Sequence, residues 1–187
     1  PIDAFRKVLA PDGERILVHA SNFRKIKRVA DVIHIFDAVK KQIPSKLLLV
    51  GDGPERPLME ELSRDLGICD DIRFVGKQQD IEEIFAISDL FLLPSEYESF
   101  GLAALEAMAA GCPVVTTNAG GLPEIMIQGK CGYMANVGDV EAMSKFALDI
   151  LKDDARLNSF KAAAKIQAAK FDIHNVVPEY EKLYEKF

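Results

Sequence analysis

Two glutamates, Glu98 and Glu106, stand eight residues apart in a segment that is otherwise mostly apolar. Glu106 is the only charged residue between Phe100 and Pro113, and the helix that begins near Leu102 is predicted to be apolar nearly all round and therefore buried. A buried carboxylate is costly without partners. Either Glu106 bonds to a helix end or an arginine, or it binds a ligand such as a ribose diol, whose two hydroxyls can donate to one carboxylate.

Glu98 precedes this helix in a polar loop. A helix start near Gly101 offers free amides and the positive end of the helix dipole, so a diphosphate or a sugar placed there would meet the amides of Ser99, Phe100, Gly101 and Leu102. Glu98 would then lie at the mouth of the same site. The alternative is that Glu98 is a solvated loop acid or a helix N-cap.

A basic turn is the second candidate. Four of the five residues from Arg24 to Arg28 are basic, and Lys27 is predicted to begin a helix after a strand. Cations at a helix N-terminus oppose its dipole, which favours an anion bound among them. Arginine and lysine together suit a diphosphate, although a solvated basic turn is the other interpretation.

Metal and redox chemistry have little support in the sequence. None of the three histidines has a potential metal ligand four residues later, and the three cysteines are far apart, so no metal is expected. The cysteine spacing also favours a reducing, cytoplasmic location. A net charge of −6 argues against a nucleic-acid partner, and no membrane segment is visible.

Short apolar runs alternate with helical patterns, which predicts an α/β fold with a Rossmann-like parallel sheet between helices, as one domain over residues 1–187. Six strands are predicted at Ile16–Ala20, Lys46–Val50, Ile72–Val75, Leu90–Leu93, Val114–Thr117 and Gly132–Ala135. Helices are predicted at Lys27–Gln42, Glu55–Leu66, Ile81–Ile87, Leu102–Ala110, Leu122–Gln128, Val140–Leu151, Ala155–Lys170 and Val176–Phe187.

Glycines follow several of these strands, where a parallel sheet binds its ligands. This favours a floor on which backbone approaches a ligand, against plain turn chemistry. The run Gly51-Asp52-Gly53 has Arg56 where the dinucleotide fingerprint needs a third glycine, and no Walker loop is present. A nicotinamide or ATP site is therefore disfavoured.

Several blocks together resemble family 4 retaining glycosyltransferases. They are Glu98-x7-Glu106, the run Leu-Leu-Leu-Val-Gly-Asp-Gly-Pro-Glu at 47–55, Val75-Gly76, Leu93-Pro94-Ser95, Gly120-Gly121-Leu122-Pro123-Glu124 and Gly132-Tyr133. The resemblance implies a GT-B architecture, in which two Rossmann-like domains face a cleft. This chain is similar to the C-terminal, donor-binding half, which implies an N-terminal domain of the same protein as its partner and an incomplete enzyme without it.

The resemblance also implies roles for individual residues. Glu106 would hold the ribose, Glu98 would lie at the donor sugar, and Lys27 would meet the diphosphate. Backbone contacts to the donor would come from Ser99, Phe100, Gly101 and Leu102. The base would lie near Gly51, Lys77 and Gln78. The family usually has an arginine where this chain has Asn22, so either Arg24 replaces that contact or the contact is lost.

The run Ser-Asn-Phe-Arg-x-x-Lys-Arg at 21–28 is similar to the branch of the family that joins N-acetylglucosamine to L-malate in the bacillithiol pathway. This implies a UDP-N-acetylglucosamine donor, a small-molecule acceptor and transfer with retained configuration, without a cofactor. The alternatives are a UDP-sugar epimerase of the same architecture and a non-catalytic binding module. The intact glutamate pair argues against the module.

Overall fold

Six parallel strands form a single sheet in the order β3-β2-β1-β4-β5-β6. The structure is a computed structural model that describes residues 2–171. All six strands predicted from the sequence are confirmed, to within one residue at each end. They are β1 (Arg15–Ser21), β2 (Ser45–Gly51), β3 (Ile72–Gly76), β4 (Leu90–Leu93), β5 (Val114–Thr117) and β6 (Gly132–Ala135).

Helices connect the strands and cover both faces of the sheet. They are α1 (Ile2–Leu9), α2 (Val29–Lys40), α3 (Arg56–Asp65), α4 (Ile81–Ile87), α5 (Leu102–Ala109), α6 (Leu122–Ile125), α7 (Val140–Leu151) and α8 (Asp154–Ala169). Helix α1 was not predicted from the sequence, although Phe5 and Leu9 have helical spacing. The helix predicted at Val176–Phe187 lies outside the described residues.

Three helix boundaries differ from the prediction by two residues or more, among them the end of α2 at Lys40 rather than Gln42. The helix predicted from Lys27 begins at Val29, because Lys25–Lys27 form a 3₁₀ turn and Arg28 has a left-handed backbone with a φ of 52°. The helix predicted to run to Gln128 ends at Ile125, where the chain returns to an extended conformation.

The core consists of two apolar layers, one on each face of the sheet. Alternate residues of β1 divide between them, since Leu17 packs with α2, α3 and α7 whereas Ile16 and Val18 pack with α1, α4, α5 and α6. Helix α8 contributes to both layers through Leu157 and Ala164. Burial on both faces explains why the strands are continuous apolar runs. Within residues 2–171, no helix has the length and apolar content needed to cross a bilayer.

The strand order places a topological switch point between β1 and β4. From β1 the chain proceeds outward to β2 and β3, and from β4 it proceeds outward in the opposite direction to β5 and β6. The two central strands pair directly, with Leu17 opposite Leu90. In such sheets the loops after the two central strands diverge and leave a crevice that accepts ligands. The basic turn follows β1 and the loop of Glu98 follows β4, so both lie at this crevice.

An ionic cluster stabilises the opposite end of the two central strands. Asp89 is almost fully buried, and its carboxylate accepts from Arg6 and Lys161 at 2.8 Å each and from the amide of Ile16 at 2.9 Å. Burial alone would raise the pKa of Asp89, but the bond from Arg6 and the charge of Lys161 bring it below its ordinary value. The cluster therefore ties α1 and α8 to the sheet through one ionised carboxylate.

Candidate active site

Two residues selected from the sequence meet across the switch point. Lys27 Nζ lies 2.7 Å from Glu98 Oε1, with the two side chains 21% and 13% exposed. The loops that carry them are also joined by backbone, since the amide of Glu96 donates to the carbonyl of Ile26 at 2.9 Å. The two loops are therefore joined both by this ion pair and by a backbone hydrogen bond.

Ser95 positions Glu98, a role that the sequence analysis did not assign. Its hydroxyl donates to Glu98 Oε1 at 2.9 Å, and its carbonyl accepts from Thr117 Oγ1 at 2.7 Å. Ser95 is fully buried and directly follows Pro94 at the end of β4. The available signal was a hydroxyl residue at the carboxyl end of a central strand, three residues before a candidate carboxylate.

Glycines of the loop after β5 also hold the Glu98 loop. A Cβ at Gly120 would lie 2.0 Å from the carbonyl oxygen of Glu98, and one at Gly121 would lie 2.4 Å from that of Ser99. The glycines after β2 behave in the same way, because a Cβ at Gly51 would lie 1.8 Å from the carbonyl oxygen of Ser21. Contact between neighbouring loops thus requires these glycines, which is neither of the two roles predicted for them from the sequence.

The prediction that the helix of Glu106 is buried all round was wrong. Helix α5 packs Ala104, Ala107 and Met108 into the core, whereas Leu102 and Glu106 lie on an exposed face. The helix is short and lies at the rim of the crevice, so its apolar composition does not require burial on every side. Partial burial, together with the charge of Glu82 on α4, raises the pKa of Glu106.

The start of α5 adjoins this exposed face. Gly101 has a φ of 64°, which favours glycine, and a Cβ there would lie 2.8 Å from Ile125 Cδ1. Phe100 and Leu102 are 59% and 63% exposed, respectively. The first-turn amides of α5, which have no partner within the helix, therefore follow immediately after the Glu98 loop.

Two positions bear on the missing phosphate-binding arginine, and both lie at the exposed surface. Asn22 and Arg24 are both exposed, and neither side chain has a hydrogen bond or ion pair with another part of residues 2–171. Arg24 lines a pocket with Arg28 and Glu55, between α2 and α3. Lys27 and Glu98 do not line that pocket, so the structure does not bring Arg24 into the contact that Lys27 makes.

His19 lies beneath the crevice and is uncharged. It is fully buried, and burial lowers its pKa to about 4. One ring nitrogen, Nδ1, donates to the carbonyl of Leu92 on β4 at 2.8 Å, which leaves Nε2 to accept from Ser21 Oγ at 2.8 Å. Ser21 Oγ in turn accepts from the amide of Phe23. Through these bonds His19 joins the two central strands below the basic turn, which is a structural role.

The residues expected near the base lie further out along the same edge. Lys77 and Gln78 are exposed in the loop after β3, which is the outermost strand on that side. Gln78 Nε2 donates to the carbonyl of Val75 at 2.6 Å. Gly51 ends β2, between that loop and the basic turn after β1. Among the residues that the structure describes, no group of three or more His, Cys, Asp or Glu side chains is arranged to hold a metal.

Comparison with known proteins identifies the family. Residues 2–167 match the family model described as glycosyl transferases group 1. The chain is 44% identical, over 92% of its length, to N-acetyl-alpha-D-glucosaminyl L-malate synthase of Bacillus anthracis, and 36% identical, over 72%, to D-inositol 3-phosphate glycosyltransferase of Corynebacterium urealyticum. It covers only 46% and 32% of those two proteins.

A solved structure agrees with this assignment. Anabaena HepE, determined in complex with UDP and glucose, superposes with a TM-score of 0.87 at 25% identity; the superposition covers the whole of this chain and 52% of HepE. The match over residues 2–167 and the identity to curated members show that the chain belongs to the group 1 family of glycosyltransferases.

Proposed function

We propose that this chain is the donor-binding half of a retaining glycosyltransferase that uses a UDP-sugar. The observation that carries the proposal is the contact between Lys27 and Glu98, which puts a cation and a carboxylate together at the switch point of a group 1 glycosyltransferase fold. A cation suits the diphosphate of a nucleotide-sugar, and a carboxylate suits the hydroxyls of the sugar.

The donor would lie along the crevice. Lys27 and the first-turn amides of α5 would bind the diphosphate, and Glu106 would accept from the ribose hydroxyls. Gly51, Lys77 and Gln78 would flank the base at the outer part of the edge. Glu98 would lie at the sugar, with the backbone of Ser99 and Phe100 beside it.

The reaction would proceed on one face of the sugar. The acceptor hydroxyl would attack the anomeric carbon from the side on which the diphosphate leaves, and the diphosphate would accept the hydroxyl proton. The protein would contribute orientation and stabilisation of the charge that develops on the leaving group. Lys27 is the side chain best placed for that stabilisation. No step requires a metal or another cofactor.

The donor sugar and acceptor are proposed from the relative with 44% identity. Its name supports N-acetylglucosamine as the transferred sugar and L-malate as the acceptor. Because this chain spans less than half of that relative, the acceptor would bind mainly to an N-terminal domain of the same protein.

Thermal unfolding with nucleotides tests the binding proposal. UDP at a hundredfold excess over its dissociation constant should add about 2.7 kcal/mol to the free energy of unfolding. UDP should stabilise the chain more than ADP does, and a chelator should not change the effect. The absence of any shift with millimolar UDP would refute the proposal.

A further inference from the structure

The Glu98 carboxylate uses its two oxygens unequally. Oε1 accepts both from Lys27 Nζ at 2.7 Å and from Ser95 Oγ at 2.9 Å. Across residues 2–171, no donor is within hydrogen-bond distance of Oε2. One oxygen is thus committed to protein contacts, while the other can receive a hydroxyl from a ligand.

Lys27 is committed to the same contact. Across the part of the chain that the structure describes, its ammonium has Glu98 as its ion-pair partner and no other. Both side chains are mostly buried, so solvent screens their attraction less than it screens a surface pair. A diphosphate that binds to Lys27 therefore meets an ammonium whose charge is already balanced by a carboxylate, and the two anions compete for that charge.

Both partners are also fixed by the backbone. Lys27 ends a 3₁₀ turn that lies between two non-glycine residues with positive φ, Phe23 at 46° and Arg28 at 52°. The loop of Glu98 is held by Ser95 and by the amide of Gly121, which donates to the Glu98 carbonyl at 2.8 Å. The backbone segments that carry the two side chains are therefore both held in place.

We infer that Glu98 acts as a selectivity residue that weakens the binding of bare UDP by competing with its diphosphate for Lys27, an inference that rests on the proposed donor site. A UDP-sugar brings a hydroxyl that can donate to Glu98 Oε2, which offsets part of the competition. UDP alone lacks the sugar, and its ribose hydroxyls are assigned to Glu106, so it brings no hydroxyl for Oε2. The pair thereby favours the donor over the spent nucleotide and promotes release of UDP after transfer.

The test compares three ligands with the wild type and Glu98→Gln, a substitution that preserves shape and removes the charge. The variant should bind UDP about three- to tenfold more tightly, the range expected for a partly buried ion pair. Uridine affinity should not change, since uridine has no diphosphate. UDP-N-acetylglucosamine should gain less than UDP does, so the ratio of the two affinities should move towards one. Titration calorimetry measures all three.

Two further variants separate competition for Lys27 from general repulsion. In Glu96→Gln the charge is removed from an exposed neighbour, which pairs with Arg28 at 3.3 Å, and UDP affinity should stay at the wild-type value. In a Lys27→Met background, Glu98→Gln should give no gain in UDP affinity. A gain that persists without Lys27, or an equal gain from Glu96→Gln, would overturn the inference.

The outcome also separates this inference from the proposed function. If the wild type binds UDP and Glu98→Gln binds it equally or more weakly, the competition is refuted and the donor site stands. If the wild type does not bind UDP at all, both are refuted. Thermal unfolding of each variant without ligand establishes that it is folded at the temperature of the titration.

Discussion

The amide of Gly121 donates to the carbonyl of Glu98 at 2.8 Å, which joins the loop after β5 to the loop after β4. Next to this bond, Gly120 has a φ of 58°, and its α-carbon faces the same carbonyl so closely that no side chain fits. The position of the candidate sugar-binding carboxylate is therefore set partly by a loop that contributes no side chain to the contact.

Gly120→Ala should displace this loop and weaken binding of the UDP-sugar. The new methyl would lie 2.0 Å from the Glu98 carbonyl oxygen, so one of the two loops must move. We expect a loss of about 2–3 kcal/mol in unfolding free energy from overpacking and the left-handed backbone. Urea unfolding and titration with UDP-N-acetylglucosamine measure the two effects.

Gly67→Ala is the matched control for the backbone cost alone. Gly67 has a φ of 71°, but a Cβ there would meet nothing within 4 Å. A loss of about 1 kcal/mol without a change in nucleotide affinity is expected. If both variants bind the donor equally well, contact with Gly120 does not position Glu98.

Lys27→Ala should weaken UDP binding far more than uridine binding, because the diphosphate is the only part of the ligand that Lys27 is proposed to contact. A lost charge-assisted hydrogen bond costs about 1.5–3 kcal/mol, or roughly a 10- to 100-fold loss in affinity. Arg24→Ala tests whether Arg24 replaces the arginine that the family usually has at position 22. We expect a smaller loss of UDP affinity for Arg24→Ala, since Arg24 lines a pocket to which neither Lys27 nor Glu98 contributes.

Calorimetric titrations of both variants with UDP and with uridine decide the matter. Equal losses for the two ligands would mean that the basic turn is not a phosphate site. If Arg24→Ala binds UDP as tightly as the wild type, Arg24 does not replace the arginine that the family usually has at position 22.

Glu106→Gln should weaken UDP and uridine alike, by roughly 10- to 100-fold, because the ribose is common to both. Its exposed position predicts a change in unfolding free energy within about 0.5 kcal/mol. A variant that unfolds much earlier and binds as before would support a structural role instead.

The pH dependence of binding gives a second test of Glu106. Partial desolvation and the charge of Glu82 raise its pKa above the ordinary value of 4.5, so the carboxylate should take up a proton while the solution is still above that pH. UDP affinity should therefore fall as the pH falls through this raised pKa. Glu82→Gln should move the fall to lower pH, and an unmoved profile would contradict the assignment.

The fold could be predicted from the sequence more completely than the site. Buried strands such as Leu90–Leu93 are apolar throughout, and short alternating elements leave few topologies for a parallel sheet. The start of α2 was missed because a left-handed conformation at Arg28 has no signature in an arginine. The exposed face at Glu106 was missed because an apolar composition does not reveal which side of a helix meets the core.

Asp89→Asn should destabilise the chain by about 3 kcal/mol, since the substitution leaves Arg6 and Lys161 without their buried counter-charge. The pKa of Asp89 is lower in the folded state than its ordinary value of 3.8. Its contribution to the free energy of unfolding is thus fully present above pH 3.8 and is lost as the pH falls through the lower folded-state pKa. Urea unfolding at several pH values measures this.

Asp154→Asn is the control for that substitution. Asp154 pairs with Arg15 at 2.7 Å, but its side chain is 85% exposed. Its loss should cost less than about 1 kcal/mol. Similar costs for the two variants would show that burial does not make the Asp89 cluster important.

Residues 1–187 alone should transfer no sugar, whereas a longer protein that carries an N-terminal domain before them should. Transfer needs the acceptor hydroxyl held in attack geometry against the donor, an effect that can reach roughly 7–11 kcal/mol of the barrier. The contacts proposed for this chain involve the donor alone, and the chain covers only 46% of the Bacillus anthracis relative. The measurement is UDP release from UDP-N-acetylglucosamine with and without L-malate.

Transfer by this chain at the rate of the longer protein would refute the half-enzyme proposal. Activity of the longer protein with another acceptor, but not L-malate, would refute only the proposed acceptor, and nucleotide-sugar turnover without any acceptor would favour an epimerase.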